Sequence, residues 1–364
     1  MQGKFKKVPG AWNILKRCRT LKSRIGRILV VALVAGLMTA LLPGCSRSQP
    51  KGTGKIKIGV TVYDQYDTFL SQLMECFTSQ VSENVEVVVC NAAQSQSTQN
   101  SQVKKMIEEG CSVICVNLVD RTDPTAVIEA ARKNDVPIIF FNRELVEGDI
   151  RRWDKLFYVG ADAYESGVME GQLAAVTCMS DKSIDRNGDG VIQYVVLEGE
   201  AGHQDAIVRT EQSVNTLIKS GVKVDKLGYA IANWNRAQAQ TKTTQFIEDN
   251  GNAVELVLSN NDDMALGAID AYEASGMARS DWPVIFGIDG TDVGLEAVRD
   301  DRMVGTVYND KEGQAQAMYK LSLILARGGS IDELSGEYDV ADGKYIRLHY
   351  AKVTGANINE YLSK

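Results

Sequence analysis

The residues from Asp185 to Arg209 carry the densest chemistry in the chain. Asp185-Arg186-Asn187-Gly188-Asp189-Gly190-Val191-Ile192-Gln193 places oxygen-bearing side chains at alternate positions around a glycine turn, the arrangement a calcium loop needs. An EF-hand loop would supply a bidentate glutamate at its twelfth position, but that residue is Val196, inside the apolar run Tyr194-Val195-Val196-Leu197. A carboxylate from elsewhere in the chain must complete such a site. The apolar run reads as a buried strand that delivers the chain into Glu198-Gly199-Glu200-Ala201-Gly202-His203-Gln204-Asp205, with Arg209 one helical turn later. His203, Asp205 and Arg209 therefore fall where a strand turns into a helix, the edge at which open α/β sheets bind ligands.

Other strand ends carry similar groups. Asp67 and Phe69 follow the first strand, and Asn142, Arg143 and Glu144 follow Phe140-Phe141. Trp234 follows Ile231, Asn261 follows Leu258-Ser259, Asp289 follows Phe286-Gly287-Ile288, and Asn309 follows Val307-Tyr308. A sugar presents hydroxyls around its rim and apolar C–H faces, so it needs planar donors and acceptors beside it and aromatic surfaces above and below. Phe69 and Trp234 could supply those surfaces, although such residues more often belong to cores. The Asn and Asp positions could equally be helix caps, and several could do both. His349, on a late strand without comparable neighbours, reads as structural.

Strands and helices alternate from Lys55 onward to position these groups. Ile56 to Val62, Val85 to Cys90, Val113 to Val116, Pro137 to Phe141 and Phe157 to Val159 are near-continuous apolar runs, as expected of strands buried on both faces. Leu227 to Ile231, Val254 to Ser259, Val284 to Gly287 and Val304 to Val307 repeat the pattern after the ion loop. The expectation is an α/β chain of two doubly wound parallel-sheet lobes, with a boundary near Gly160-Ala161-Asp162. Lys344 to Tyr350 reads as one late strand, placed where it could cross between lobes.

The chain has 364 residues, too many for one ordinary core. Residues 1–44 hold nine Lys or Arg and no acid, and Ile28 to Leu42 is an apolar or small run that ends at Leu42-Pro43-Gly44-Cys45. This resembles a bacterial lipoprotein signal peptide, with lipidation and cleavage expected at Cys45 and a polar linker over 45–54; about fifteen apolar residues fall short of the roughly 20 a membrane span needs. The alternative is an uncleaved anchor. Without those nine basic residues the exported part has 31 Lys plus Arg against 47 Asp plus Glu, a net charge of −16, which disfavours nucleic acid as a partner. Cysteines 76, 90, 111, 115 and 178 are an odd set without disulfide-framework spacing and read as buried free thiols. Cys111 and Cys115 are expected on one face of a strand rather than in a zinc knuckle.

Taken together, Ile58-Gly59-Val60-Thr61-Val62-Tyr63, Phe140-Phe141-Asn142, Gly199-Glu200 with Gly202-His203 and Asp205, Trp234 with Ala237-Gln238-Ala239, and Asn260-Asn261-Asp262 with Met264-Ala265 resemble the periplasmic galactose/glucose-binding proteins of bacterial ABC transporters. The similarity runs from about Ile58 to the carboxyl end. It implies a type I periplasmic binding protein fold, two lobes joined by a hinge, with residues 55–161 and 310–346 in the first lobe and 162–309 and 347–364 in the second. It also implies hexose contacts from Asp67, Phe69, Asn142, His203, Asp205, Arg209, Trp234, Asn261, Asp289 and Asn309. For a structural calcium ion it implies ligands from Asp185, Asn187, Asp189, the Val191 carbonyl, Gln193 and the distant Glu255, the carboxylate missing from the loop. The implied partners are D-galactose or D-glucose, the permease of an ABC transporter and, in some such systems, a chemoreceptor. A monomer held by a lipid anchor at the outer face of the cytoplasmic membrane, or lying free in the periplasm, is expected.

Asp64-Gln65-Tyr66 departs from the family pattern just before Asp67, at the rim of the cleft. Two other readings stand beside this one: a binding protein for a pentose or furanose, and a sugar-modifying enzyme with His203 and Asp205 as acid and base. Against the enzyme, no phosphate-cradling glycine loop follows any strand. A regulator of related fold is disfavoured because an export signal stands in place of a DNA-binding module.

Overall fold

The computed structural model describes residues 55–362, so the signal segment, the linker and the Cys45 lipidation site lie outside the described residues. Two sheets organise the described chain. The first contains β1 (Ile56–Val62), β2 (Val85–Asn91), β3 (Val113–Val116), β4 (Ile138–Phe141), β5 (Leu156–Ala161), β11 (Val340–Ala341) and β12 (Tyr345–Leu348), in the spatial order β11-β12-β5-β4-β3-β1-β2. The second contains β6 (Ile192–Glu198), β7 (Val224–Ile231), β8 (Leu256–Ser259), β9 (Val284–Asp289), β10 (Gly305–Asn309) and β13 (Tyr350–Thr354), in the order β13-β10-β9-β8-β6-β7. The first five strands of each sheet are parallel and share one doubly wound order, and each lobe gains antiparallel pairing only from a late strand, β11 on β12 and β13 on β10. This is the type I periplasmic binding protein architecture.

The connecting helices are α1 (Thr68–Ser79), α2 (Gln96–Glu108), α3 (Thr125–Asn134), the single turn α4 (Glu147–Ile150), α5 (Ala163–Ser180), α6 (Gln204–Lys219), α7 (Arg236–Asn250), α8 (Asp262–Ser275), α9 (Asp292–Arg299) and α10 (Lys311–Ala326). Central strands such as β3, β4 and β8 are buried at every position because helices cover both sheet faces, whereas the edge strands β2 and β7 mix half-buried and exposed residues. Apolar clusters flank both faces of each sheet; in the first lobe Ile58, Val60 and Ile139 pack on one face and Ile114, Ile138 and Phe140 on the other.

The chain passes from one sheet to the other three times: from β5 into α5, from β10 into α10, and from β12 into β13. α5 packs beneath the second sheet with Ala174, Ala175 and Cys178 against Ile192 and Tyr194, and α10 returns Ala315, Met318 and Leu321 to the core of the first. Among the described residues no helix is long and apolar enough to cross a membrane.

Three expectations from the sequence need correction. The late strand over Lys344 to Tyr350 is two strands, broken at His349, because Tyr345–Leu348 pairs with β5 while Tyr350–Thr354 pairs with β10 in the other sheet. Cys111 and Cys115 do not share a face: β3 begins only at Val113, so Cys111 sits in the preceding turn and packs with Met106 and Ile114, while Cys115 joins the opposite cluster beside Ser322. All five described cysteines are free, but only 111, 115 and 178 are buried; Cys76 and Cys90 are half-buried.

Candidate functional site

The strand ends on either side of each switch in strand order face one gap between the sheets. Tyr63, Asp67, Phe69, Asn142 and Arg143 line it from the first lobe, and His203, Asp205, Arg209, Trp234, Asn261 and Asp289 line it from the second. The gap holds about 360 Å³ counted out to its open mouth. Nine of the ten residues expected from the sequence are in this lining. Asn309 is not: it is buried at the end of β10, where its Oδ1 accepts a hydrogen bond from Gln314 at 2.6 Å. Tyr63 was missed, because a tyrosine closing an apolar strand looks like core, and Arg143, noted at its strand end, was not counted among the contacts.

Several site residues also cap helices, which fixes their side chains. Asp67 Oδ1 accepts from the Leu70 N–H at 2.9 Å, while Oδ2 accepts from the Tyr63 hydroxyl at 2.7 Å. Burial and the Asp67 charge push the Tyr63 hydroxyl far above its ordinary pKa, so it remains a donor. Phe69 thereby enters the first turn of α1 with its ring at the gap. Asn261 caps α8 through Oδ1 to the Met264 N–H at 2.9 Å. His203 caps α6 by accepting the Asp205 N–H on Nδ1 at 3.1 Å. Burial, together with Arg143 and Arg209, holds the His203 pKa well below its usual value, so the ring is neutral and its proton lies on Nε2.

Asn142 adopts a left-handed conformation, φ 58°, and its amide oxygen is held by Asn117 Nδ2 at 3.0 Å. Asp289, with φ 115°, and Trp234, with φ 59°, also occupy backbone regions that a side chain rarely adopts, and such strain gathers at binding sites. Asn233 and Trp234 form a left-handed pair pinned by Ala232 N–H to the Glu198 carbonyl at 2.8 Å and by Asn233 N–H to the Gly199 carbonyl at 3.3 Å. The indole meets the His203 ring edge to face at 5.4 Å.

Arg209 is the electrostatic centre of the second lobe. Its guanidinium donates to the Asn260 carbonyl at 2.7 Å and to the Tyr350 hydroxyl at 3.1 Å, and lies 3.4 Å from Asp289 Oδ1. Burial would lower its pKa, but Tyr350, Asp289 and Asp205 outweigh that and raise it, so the charge is permanent. Burial raises the pKa of Asp205 and of Asp289, each against the pull of Arg209. The Arg209 Nε is buried and has no hydrogen-bond partner in the protein. α6 can approach α5 closely enough to set this guanidinium because Gly167 faces it: a Cβ there would stand 2.9 Å from the Arg209 carbonyl oxygen.

The loop Asp185–Gln193 closes on itself near the start of β6. Asp185 accepts from the N–H groups of Asp189 and Gly190 at 3.2 and 2.8 Å, and Asp189 Oδ1 accepts from the Val191 N–H at 2.7 Å. Asn187 Nδ2 reaches Asp189 Oδ2 at 2.9 Å and Gln193 Oε1 at 3.2 Å, so these side chains converge. Glu255, buried at 1% exposure, arrives from before β8; its two oxygens accept from the N–H groups of Arg186 and Gln193 at 2.6 and 3.2 Å. Two aspartates, two amides and a remote buried carboxylate are an oxygen-only donor set, the type a hard cation takes. Among the described residues no group of three or more His, Cys, Asp or Glu is drawn together tightly enough to hold a metal without rearrangement.

The sequence matches the model of the periplasmic binding protein domain over residues 58–330. The chain is 32% identical over 309 residues to the D-galactose/methyl-galactoside binding periplasmic protein MglB of Haemophilus influenzae, covering 84% of this chain and 92% of that protein. It is 28% identical to a putative rhizopine-binding protein of Rhizobium meliloti, covering 83% and 90%. Among solved structures, an ABC transporter solute binding protein of Bacillus halodurans with bound myo-inositol superposes with a TM-score of 0.71 at 23% identity, covering 86% of this chain and 99% of that one. A periplasmic solute binding protein of Actinobacillus succinogenes with bound D-allose gives a TM-score of 0.72 at 19% identity, covering 84% and 100%. With three quarters of its length in the family model and this architecture, the chain belongs to the periplasmic binding protein domain family, as a solute-binding protein and not an enzyme.

Proposed function

We propose that this protein captures D-galactose or D-glucose between its lobes and presents the sugar to the permease of an ABC transporter. At the coarser level, the family makes it an exported sugar-binding component of such a transporter. The observation that carries the finer reading is that Phe69 and Trp234, from different lobes, line one gap together with Asp67, Asp205, Arg209 and Asp289. Two rings offer the apolar faces of a pyranose their packing surfaces, while carboxylates and a guanidinium form charge-assisted hydrogen bonds with hydroxyls. The charges nearly cancel: Arg143 and Arg209 oppose Asp67, Asp205 and Asp289, and His203 is neutral. That balance favours an uncharged ligand over a uronate or a sugar phosphate. The orphan Nε of Arg209 supplies a donor for a hydroxyl.

Asp67 is the residue assigned to the hydroxyl that differs between glucose and galactose, since a carboxylate has spare lone pairs for either epimer. Capture proceeds by the lobes closing about the three crossings and expelling water from the gap. Calcium is proposed as a structural ion, held by Asp185, Asn187, Asp189, the Val191 carbonyl, Gln193 and Glu255, where it would tie the loop to the edge of β8. Lipidation at Cys45 is proposed as the membrane tether. A chemoreceptor is a second proposed docking partner, and the working unit is proposed to be a monomer.

Calorimetric titration of sugar-free protein with D-galactose, D-glucose, D-ribose and myo-inositol tests the assignment. One hexose per chain, bound at least tenfold more tightly than the pentose or the cyclitol, supports it; preference for ribose or myo-inositol replaces the hexose with that class.

A further inference from the structure

Arg143 lines the gap but also reaches across it. Its side chain is 4% exposed, and Nη2 donates to Glu200 Oε2 at 2.7 Å. Arg143 follows β4 in the first lobe, whereas Glu200 stands in the loop that leaves β6 in the second. The pair therefore joins the two lobes at the gap, away from the three chain crossings.

The first lobe holds its half of the contact without help from the second. Arg143 Nη1 donates to the Val119 carbonyl at 2.9 Å, and the guanidinium stacks over the Tyr63 ring with its carbon 3.7 Å from the centroid. Tyr63 is in turn held by Asp67. A planar cation fixed by one carbonyl and one ring face keeps its remaining edge aimed at the other lobe, so little rotamer freedom is lost when Glu200 arrives. Other side chains also bridge the lobes: Thr68 donates to Asp263 at 2.6 Å, Arg121 donates to Gln204, and Lys311 pairs with Asp292 at 2.8 Å. The first two are bonds with a neutral partner. Lys311 directly follows the crossing out of β10, where the lobes stay adjacent whatever their opening. Arg143–Glu200 alone among these bridges combines full charges, distance from the crossings and a residue of the gap lining.

We propose that the Arg143–Glu200 pair is the latch of the closed state, and that Arg143 is a positioning residue whose grip on Glu200 sets how long the ligand is retained. This rests on the reading of the protein as a cleft-closing sugar binder. Glu200 is outside the lining of the inner gap and stands at its mouth, beside Tyr63, Asp67, Arg143 and Trp234. The Glu200→Gln variant keeps the size and backbone of the loop and removes the charge.

Stopped-flow tryptophan fluorescence and calorimetry on wild type, Glu200→Gln and Glu200→Asp, at low and high sodium chloride, test it. Because Glu200 is 44% exposed, the expected result is galactose or glucose release roughly two- to fivefold faster from Glu200→Gln with little change in association rate, and partial recovery in Glu200→Asp. Wild-type release should quicken with added salt, while release from Glu200→Gln stays flat. If wild type binds hexose and Glu200→Gln releases it at the wild-type rate with the same salt response, the latch is overturned and the sugar reading stands. If wild type binds no sugar of the panel, both fall together.

Discussion

The six-membered ring of Trp234 lies directly over Gly199: a Cβ built on that glycine would stand 2.2 Å from the indole Cη2. Gly199 follows β6 and Trp234 follows β7, so one strand end supplies a bare backbone on which the other rests its aromatic surface. Any side chain at 199 must push the indole into the gap or out of it.

Gly199→Ala should therefore fold but bind poorly. Displacing one wall of the proposed sandwich removes a stacking interaction worth about 0.5–1.5 kcal/mol beyond its buried area, and misplaces the His203 ring that meets it. Affinity for hexose should fall at least tenfold, about 1.4 kcal/mol, in a calorimetric titration, with circular dichroism unchanged. Wild-type affinity in this variant would remove Trp234 from the site.

Asp67 has two duties that two substitutions separate. Asp67→Ala loses the α1 cap and should cost about 1 kcal/mol of stability as well as affinity for both galactose and glucose. Asp67→Asn retains a capping oxygen, so its unfolding midpoint should stay near wild type while hexose affinity drops by ~10- to 100-fold with the charge-assisted bonds. Undiminished binding of both sugars by Asp67→Asn would take this carboxylate out of the contact set.

Asp262, beneath the site, provides a pH signature. It is fully buried at the start of α8, where Oδ2 accepts from the Thr291 N–H and hydroxyl at 2.7 and 3.1 Å and Oδ1 from the Thr306 hydroxyl at 2.6 Å. Burial outweighs those bonds and pushes its pKa up from 3.8 to about 7. Between those values the folded state holds a proton that the unfolded chain has released. This contribution to stability is complete below about pH 4 and is lost as pH rises through 7. An asparagine can keep all three partners if its amide nitrogen takes the Thr306 side. The unfolding midpoint of Asp262→Asn, measured from pH 4 to 8, should thus gain on wild type as pH rises. Parallel curves for the two proteins would show that Asp262 does not titrate in that window.

Much of this architecture could be read directly from residues. Val113 to Val116 and Ile138 to Phe141 are apolar at every position, and only strands covered on both sides are built that way. Asp67, His203 and Asn261 were readable because cap chemistry and ligand chemistry ask for the same atoms at the same strand-to-helix turn. Tyr63 was not, since the fold alone brings it to Asp67 and Arg143, and Arg143, visible at its strand end, gave no sign of the Glu200 it meets in the facing lobe. The duplication showed in the strand pattern repeated after the ion loop, but its bond-by-bond equivalence did not. Asn117 Oδ1 accepts from the Tyr63 N–H at 3.1 Å and Asn260 Oδ1 from the Gly199 N–H at 3.2 Å, equivalent bonds at the two switch points, yet the surrounding sequences share little. The crossing between lobes near His349 was foreseen, but an alternating run does not reveal that it is two strands with a break between them.

Glu255 is the residue on which the proposed calcium site depends. Its carboxylate is buried against the N–H groups of Arg186 and Gln193, so it organises the loop even without an ion. Calcium should raise the unfolding midpoint of wild type, and a chelator should lower it again. Glu255→Gln should show a lower midpoint that calcium no longer shifts. A wild-type midpoint insensitive to both calcium and chelator would argue that the loop is an ordinary turn.

The central claim is that one uncharged hexose is held between the rings of Phe69 and Trp234. A crystal structure of the mature protein grown with D-galactose measures it most directly. The account predicts a single pyranose between the two rings, with hydroxyls bonded to Asp67, Asp205, Arg209 and Asp289. A sugar bound elsewhere, or a gap that stays empty of sugar at saturating galactose and at saturating glucose, would contradict it.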